Sequence, residues 1–224
     1  MNKFNTPIST VDVVLFSIIN NKLHVLLVNR SPKNEPFLGL LAFPGGYVHT
    51  DSDANLLETA KRVIKEKTCL MDEIYIEQLQ TVSGRTRDPR GWSISQCYCG
   101  VVPAEQAGFI HSNCQWVEAH QIHLMDLAFD HNQIFDLASS RILNKTNYSL
   151  LPTRFLGRSF TLTELQKTYE IVLSTKLDKS SFRKKIDALG VITPTNLYKT
   201  GKQRPAMLYT IAYQDASFFK SNFI

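Results

Sequence analysis

Two groups of residues in this sequence have types and spacings that could do chemistry. The first is Lys179, Ser180, Ser181, Arg183, Lys184 and Lys185, interleaved with Phe182, Ile186 and Leu189 at i, i+4 and i+7. On a helix that spacing gathers the apolar side chains on one face and leaves cations and hydroxyls on the other. Lys and Arg neutralise phosphates, while Ser180, Ser181 and Arg183 are short or forked donors near a helix N-terminus, where base edges are reached in the DNA major groove. The plainer reading is a solvated face of an amphipathic helix; Lys199, Lys202 and Arg204, clustered around a polar loop further on, weigh against it. The second group lies upstream. Gly45-Gly46 precedes a helical stretch carrying Arg62 and Glu66, Arg30 ends an apolar run, and Arg87-Asp88-Pro89-Arg90-Gly91 makes a turn. These arginines offer groups for phosphate, but the turn reads equally well as a rigid surface hairpin with an internal Arg–Asp contact.

The elements that must position these groups follow from periodicity. Val11 to Ile19 and Leu23 to Val28 are apolar, β-branched runs separated by Asn20-Asn21-Lys22, which predicts a hairpin. Leu40 to Pro44 leads into the glycine pair. A helix is expected from about Ala54 to Lys67, with Leu56, Leu57, Ala60, Val63 and Ile64 on its buried face. Tyr75 to Val82, Ser93 to Val102 and Cys114 to Val117 read as strands, and Asp130 to Leu143 as an amphipathic helix. Asn144 to Thr153 reads as a linker. Beyond it, Thr161 with Glu164 forms a capping-box signature for a helix from Leu162 to about Leu173. Asp178 can cap the cationic helix and Gly190 can end it. Val191-Ile192, a polar loop through Gly201, and Met207 to Ala212 then suggest a short hairpin. Helix, turn, cationic helix and basic hairpin is the order of a winged helix-turn-helix.

Composition narrows the class. The 224 residues, 43% hydrophobic and 20% charged, are ordinary for a globular protein of one large domain or two smaller ones. Their net charge of +5 is unevenly placed. Residues 1–150 hold 13 Lys and Arg against 15 Asp and Glu, a net of −2, whereas residues 151–224 hold 12 against 5, a net of +7. A basic module therefore follows a near-neutral one, with expected domains of 1–148 and 149–224. The four cysteines lack the spacing of a zinc knuckle, and Cys97 and Cys99 fall on one face of a strand as buried thiols. No signal pattern or membrane-length apolar stretch is seen, which points to a cytoplasmic protein with no membrane partner.

The glycine pair and following helix resemble the Nudix box, Gly-x5-Glu-x7-Arg-Glu-φ-x-Glu-Glu-x-Gly-φ with φ aliphatic, which uses a row of glutamates to hold divalent cations against a pyrophosphate. Aligning Arg62 with the box arginine places Val63 and Lys67 where two metal-binding glutamates belong. Only Glu66 survives of the three. Ile64 and Leu70 are kept, Cys69 replaces the glycine, and Ala54 stands at the upstream glutamate position. A hydrolase with this box should be inactive or nearly so, because a lone carboxylate beside a lysine gives a divalent cation little.

A degenerate Nudix domain joined to a C-terminal winged helix resembles the Nudix-related transcriptional regulator family, NrtR, over essentially the whole chain. The stretches that carry the resemblance are TVDVVLF, LAFPGGYV, RDPRG, FTLTELQKTYE, LDKSSFRKKIDALG and RPAMLY. It implies an α+β architecture, an N-terminal Nudix-like α/β/α sandwich followed by a winged helix-turn-helix. It also implies a homodimer that represses genes of NAD metabolism or sugar use from a palindromic operator in double-stranded DNA. The effector would be ADP-ribose or a related nucleotide; no catalytic cofactor or metal is expected. Carried residue by residue, the resemblance puts Lys179, Ser180, Ser181, Arg183 and Lys184 in the recognition helix, with Lys202 and Arg204 in the wing. It surrounds the nucleotide with Arg30, Phe43, Gly45, Gly46, Arg62, Glu66, Arg87 and Arg90. The alternative is an active Nudix hydrolase of nucleoside diphosphate derivatives such as ADP-ribose, with an accessory C-terminal domain.

Overall fold

The apolar run near the N-terminus forms β1 (Ile8–Ile19), buried from Val11 to Ser17 because it is an interior strand of a mixed sheet. Its neighbours are β2 (Lys22–Asn29) and β6 (Ser93–Val101), the latter parallel and in register from Ile8 opposite Ser93 to Phe16 opposite Val101. Asn20 and Asn21 take left-handed φ of 50° and 60°, the geometry of a type I′ hairpin turn between β1 and β2. Two short strands, β3 (Leu41–Ala42) and β4 (Gly45–Tyr47), pair with β2 and β1, so the glycine pair lies in a strand instead of a loop. The sheet is completed by β5 (Tyr75–Gly84) on β6 and β7 (Cys114–Glu118) on β2.

Successive side chains of β1 point to opposite faces and meet different helices. Val11, Val13 and Leu15 pack with Ala60 and Ile64 of α1 (Leu56–Thr68). On the other face Asp12 meets His131 and Phe16 meets Phe135, both on α2 (His131–Tyr148). The result is the expected α/β/α sandwich. Leu56 and Leu57, predicted on the buried face of α1, are exposed; helical spacing sets the direction of a face but not where along the helix the core stops. Asn55 caps α1 by accepting from the Glu58 amide at 3.0 Å. The helix ends at Cys69 in the left-handed conformation, φ 64°, a site where glycine is easiest and where the box has one.

The computed structural model describes residues 6–30, 36–70, 74–200 and 205–212. The chain divides into two compact units, Met1–Ser17 with His24–Val102 and Gln106–Ser139, and Ile18–Leu23 with Pro103–Glu105 and Ser140–Ile224. The expected linker from Asn144 to Thr153 is not one. Its polar side chains turn back on the helix backbone, Thr146 Oγ1 to the Ile142 carbonyl at 2.8 Å and Ser149 Oγ to that of Lys145 at 2.6 Å, and so extend α2. A 3₁₀ turn over Leu151–Phe155 then buries Leu151 and Phe155, and the Tyr169 hydroxyl donates to the Ser149 carbonyl at 2.9 Å.

In the second unit, α3 (Leu162–Leu173) begins in a complete capping box between Thr161 and Glu164, and α4 (Lys179–Leu189) is capped by Asp178 and ended by Gly190 at φ 61°. Phe160, Leu165, Tyr169, Phe182 and Ile186 form its core. The turn between the helices is fixed by Glu170, which accepts from the Leu177 amide at 3.0 Å, and by Gln166, which donates to the Leu177 carbonyl at 3.0 Å. The wing is β8 (Ile192–Lys199) against β9 (Ala206–Ile211). The polar stretch expected as loop is therefore mostly strand. A register shift between Pro194 and Tyr198, with Asn196 left-handed, absorbs the residues that break its alternation.

Candidate functional site

A cavity of about 240 Å³ opens over β1 and β4 and brings six of the predicted residues together: Arg30, Phe43, Gly45, Gly46, Arg87 and Arg90. Its floor depends on glycine. A Cβ at Gly45 would lie 2.2 Å from Asp12 Oδ1, and one at Gly46 would lie 3.0 Å from Val63 Cγ2. Asp12, the one charged residue in the buried run of β1, is held by the Ser95 hydroxyl at 2.6 Å, with Arg87 Nη2 and His131 Nε2 each 3.5 Å away. Burial alone would raise its pKa, but His131, Ser95 and Arg87 outweigh burial and keep it below the ordinary value. The Phe43 amide donates to His131 Nδ1 at 2.9 Å, which leaves the ring proton on Nε2 in this arrangement. Phe43 and His131 stack with ring centres 5.1 Å apart.

The arginines play different parts. Arg87 is almost wholly buried and grips Asp130 through two bonds of 2.9 and 2.8 Å, with a third to Ser93 at 3.2 Å. Burial opposes its charge, but Asp130 and Asp12 more than restore it. Arg87 thus organises the wall. Arg90 pairs with Asp88 at 3.0 and 2.7 Å and donates to the Tyr47 hydroxyl. The Arg87–Gly91 turn has the internal Arg–Asp contact of a rigid hairpin, and it also lines the cavity. Arg30 and Arg90 meet at one ring, with guanidinium carbons 4.8 and 5.8 Å from the centre of Phe129. Burial first and then the charge of Arg90 lower the Arg30 pKa. Two cations at one aromatic ring is an arrangement that an anion relieves. Four lining cations, Arg30, Lys67, Arg87 and Arg90, stand against two lining carboxylates, Asp12 and Asp88, and Asp130 behind the wall offsets Arg87, which leaves an excess of one positive charge.

Arg62 and Glu66 do not line this cavity. Arg62 is taken up by Asp53, at 2.8 and 2.7 Å, by the Tyr47 carbonyl at 2.8 Å and by Glu66 at 3.2 Å. Its hydrogen bonds to Asp53 are the largest influence holding that carboxyl below its usual range. Asp53 also accepts from the His49 amide and the Thr59 hydroxyl, both at 2.9 Å, and so ties the loop before α1 to the helix. Sequence spacing put Ala54 at the upstream acidic position; the neighbouring Asp53 carries the carboxylate that reaches Arg62. Asp12, Tyr47, Phe129, Asp130 and His131 are not among the residues expected at the site, and Lys67, expected only as the replacement of a box glutamate, lines it. Asp12 alone left a signal, as a lone acid inside an apolar strand.

On α4 the apolar Phe182 and Ile186 are buried, and Lys179, Ser180, Ser181, Arg183 and Lys184 are all exposed on the remaining surface. Asp178 Oδ1 accepts from the Ser180 hydroxyl at 2.7 Å and from the Ser181 amide at 2.8 Å, so the helix N-terminus is capped. Lys199 of the wing pairs with Glu164 at 2.5 Å. Lys202 and Arg204 lie outside the described residues.

A Nudix family, the NUDIX domain, matches residues 9–138, and the NrtR DNA-binding winged helix domain matches residues 152–211. The chain is 40% identical to the ADPR responsive transcriptional repressor NtrR of Acinetobacter baylyi, over 96% of this chain and 86% of that protein. The crystal structure of Shewanella oneidensis NrtR complexed with a 27mer DNA superposes with a TM-score of 0.86 at 38% identity, covering 95% of this chain and 98% of the other. The Nudix domain of the same Shewanella protein, complexed with ADP ribose, matches 62% of this chain and 90% of its own, with a TM-score of 0.55 at 39% identity.

Proposed function

We propose a repression mechanism that starts from one premise: the chain belongs to the Nudix-related transcriptional regulator family, NrtR. It is a DNA-binding, ADP-ribose-responsive transcriptional repressor of that family. Its partners are double-stranded DNA and the nucleotide effector. In this mechanism α4 enters the major groove, with Ser180, Ser181 and Arg183 at base edges and Lys179 and Lys184 on phosphates. Two copies of the chain form a cytoplasmic homodimer whose recognition helices meet successive half-sites of a palindrome, about 34 Å apart on one DNA face. ADP-ribose enters the cavity over β1 and β4, its pyrophosphate drawn by Arg30 and Arg90, and favours a dimer whose helix spacing no longer fits the operator. Release requires that the nucleotide bind the two arrangements with different affinity. Genes of NAD metabolism are the targets this chemistry suits, because an NAD breakdown product would report on demand.

The observation that carries this reading is the pairing, in one chain, of an exposed cationic helix with a separate pocket whose lining carries an excess of positive charge. The Nudix fold implies a divalent cation, and the residues present do not fit one. Val63 is buried and apolar, Lys67 is cationic, and Glu66 is half-exposed and tied to Arg62. The protein therefore binds ADP-ribose without hydrolysing it. Fluorescence anisotropy on DNA from the chain's own upstream region tests the proposal: salt-sensitive binding that ADP-ribose reverses is expected. Specific binding at no candidate operator sinks it, and magnesium-dependent hydrolysis of ADP-ribose that disappears in Glu66→Ala overturns the reading of the box.

A further inference from the structure

The helix that holds metal in the Nudix box has inverted its charge toward the cavity. Val63 and Lys67 are one turn apart on α1, on the side facing β4: Val63 lies against Gly46, and Lys67 lines the cavity. Lys67 is half-buried, and no carboxylate among the described residues pairs with its ammonium. An ammonium removed from part of its water without a counter-charge is a site in want of an anion. The other lining cations differ. Arg87 is spent on Asp130 and Arg90 on Asp88, Arg30 donates to the Pro36 carbonyl at 3.0 Å and lies over Phe129, and the two lining carboxylates are themselves engaged, Asp12 by Ser95 and Asp88 by Arg90. Glu66, the sole acidic survivor of the box trio, sits 51% exposed against Arg62 and outside the cavity.

We infer that Lys67 replaces the divalent cation of the Nudix box: its ammonium binds the pyrophosphate of ADP-ribose directly, so the nucleotide binds without metal. The hydrolase arrangement brings carboxylates to a metal and the metal to the pyrophosphate. Here one cation on the same helix face meets the pyrophosphate with no metal between them, beside Arg30 and Arg90. A lysine neutralises charge, but it neither lowers the pKa of a bound water nor polarises a phosphoryl oxygen as a divalent metal does. The substitution therefore keeps affinity and discards hydrolysis, which suits a sensor that must not consume its signal. The inference rests on the reading of this cavity as the ADP-ribose site.

The test is calorimetric titration of ADP-ribose, and separately of inorganic pyrophosphate, into the full-length protein with EDTA or with magnesium. Wild type is expected to bind ADP-ribose equally in both buffers. Lys67→Gln is expected to lose about 10- to 100-fold in affinity, the worth of one charge-assisted hydrogen bond, with its thermal unfolding midpoint unchanged. Lys67→Arg should retain most of the affinity, and Lys67→Glu should bind only when magnesium is supplied. Binding of ADP-ribose by wild type that requires magnesium, or that is undiminished in Lys67→Gln, overturns the role of Lys67 while leaving the site in place. Binding of neither ADP-ribose nor pyrophosphate by wild type removes the site and the lysine's role together.

Discussion

Replacing Arg87 by alanine should damage the fold of the Nudix unit before it damages nucleotide contact. The Arg87 side chain is 8% exposed and joins Asp130, 16% exposed, through two bonds, while standing 3.5 Å from Asp12. Truncation leaves Asp130 unpaired in a largely dry wall and withdraws one of the charges that keep Asp12 ionised. Breaking a buried ion pair from one side costs about 3–5 kcal/mol, and the residual water access of Asp130 argues for the lower end, about 3 kcal/mol. At about 2–4 °C per kcal/mol for a chain of this size, the midpoint should fall by about 6–12 °C. Calorimetry of the full-length protein should show the shift in the transition of the Nudix unit and none in that of the winged helix. One internal check follows from the stranded carboxylate. Arg87→Ala combined with Asp130→Ala should recover a large part of the loss. A deficit under about 0.5 kcal/mol, or one that Asp130→Ala leaves untouched, would falsify the assignment of Arg87 as the organiser of this wall.

Three further outcomes are expected. Arg183→Ala should weaken operator binding by about 10- to 100-fold, the worth of one base-edge contact, while calorimetric ADP-ribose affinity stays constant; loss of both would mean the two sites are not separate. Gly45→Ala forces a methyl to 2.2 Å from Oδ1 of the Asp12 carboxylate, whose Oδ2 accepts from the Ser95 hydroxyl and limits its movement, so it should destabilise the Nudix unit by about 1–3 kcal/mol. Gly46→Ala meets only Val63 Cγ2 at 3.0 Å and should cost less; the reverse order in thermal denaturation contradicts the geometry. Asp178 is held down to about 2, chiefly by the Ser180 hydroxyl and then by Ser181, against an ordinary 3.8. A depressed carboxyl stabilises the fold above its unfolded value and loses that contribution as pH falls through its folded one. The cap of α4 should therefore weaken as pH falls from 3.8 toward 2, and Asp178→Asn, which can still cap, should flatten that limb of an acid titration of the winged-helix unit.

The C-terminal module was legible almost residue by residue, because its signals are local. A capping box, an aspartate cap, a terminal glycine and an i, i+4, i+7 stripe each act within a few positions, and Thr161, Asp178, Gly190, Phe182 and Ile186 stand where those rules put them. The polar segment from Asn144 to Thr153 departs from the linker its composition suggests for the same reason. Asn, Thr and Ser favour linkers on average, but Thr146 and Ser149 bond the helix carbonyls one turn behind them and Leu151 and Phe155 are buried.

Two modules, a cationic charge on one of them and the loss of most metal-binding glutamates of the box are legible in the primary structure. These properties depend on residue identity and short spacing. Folding settled what the pocket contains. Asp12, Asp88, Lys67, Arg90 and His131 come from β1, the β5–β6 connection, α1 and α2, and no periodicity links them. It also decided that Arg87 is a strut held by Asp130, 43 residues away, and that Arg62 is held by Asp53 instead of facing a ligand. Charge pairing of this kind depends on distance in space and on exclusion of water, and both exist only after the sheet and its two helices have closed around the strand that carries Asp12.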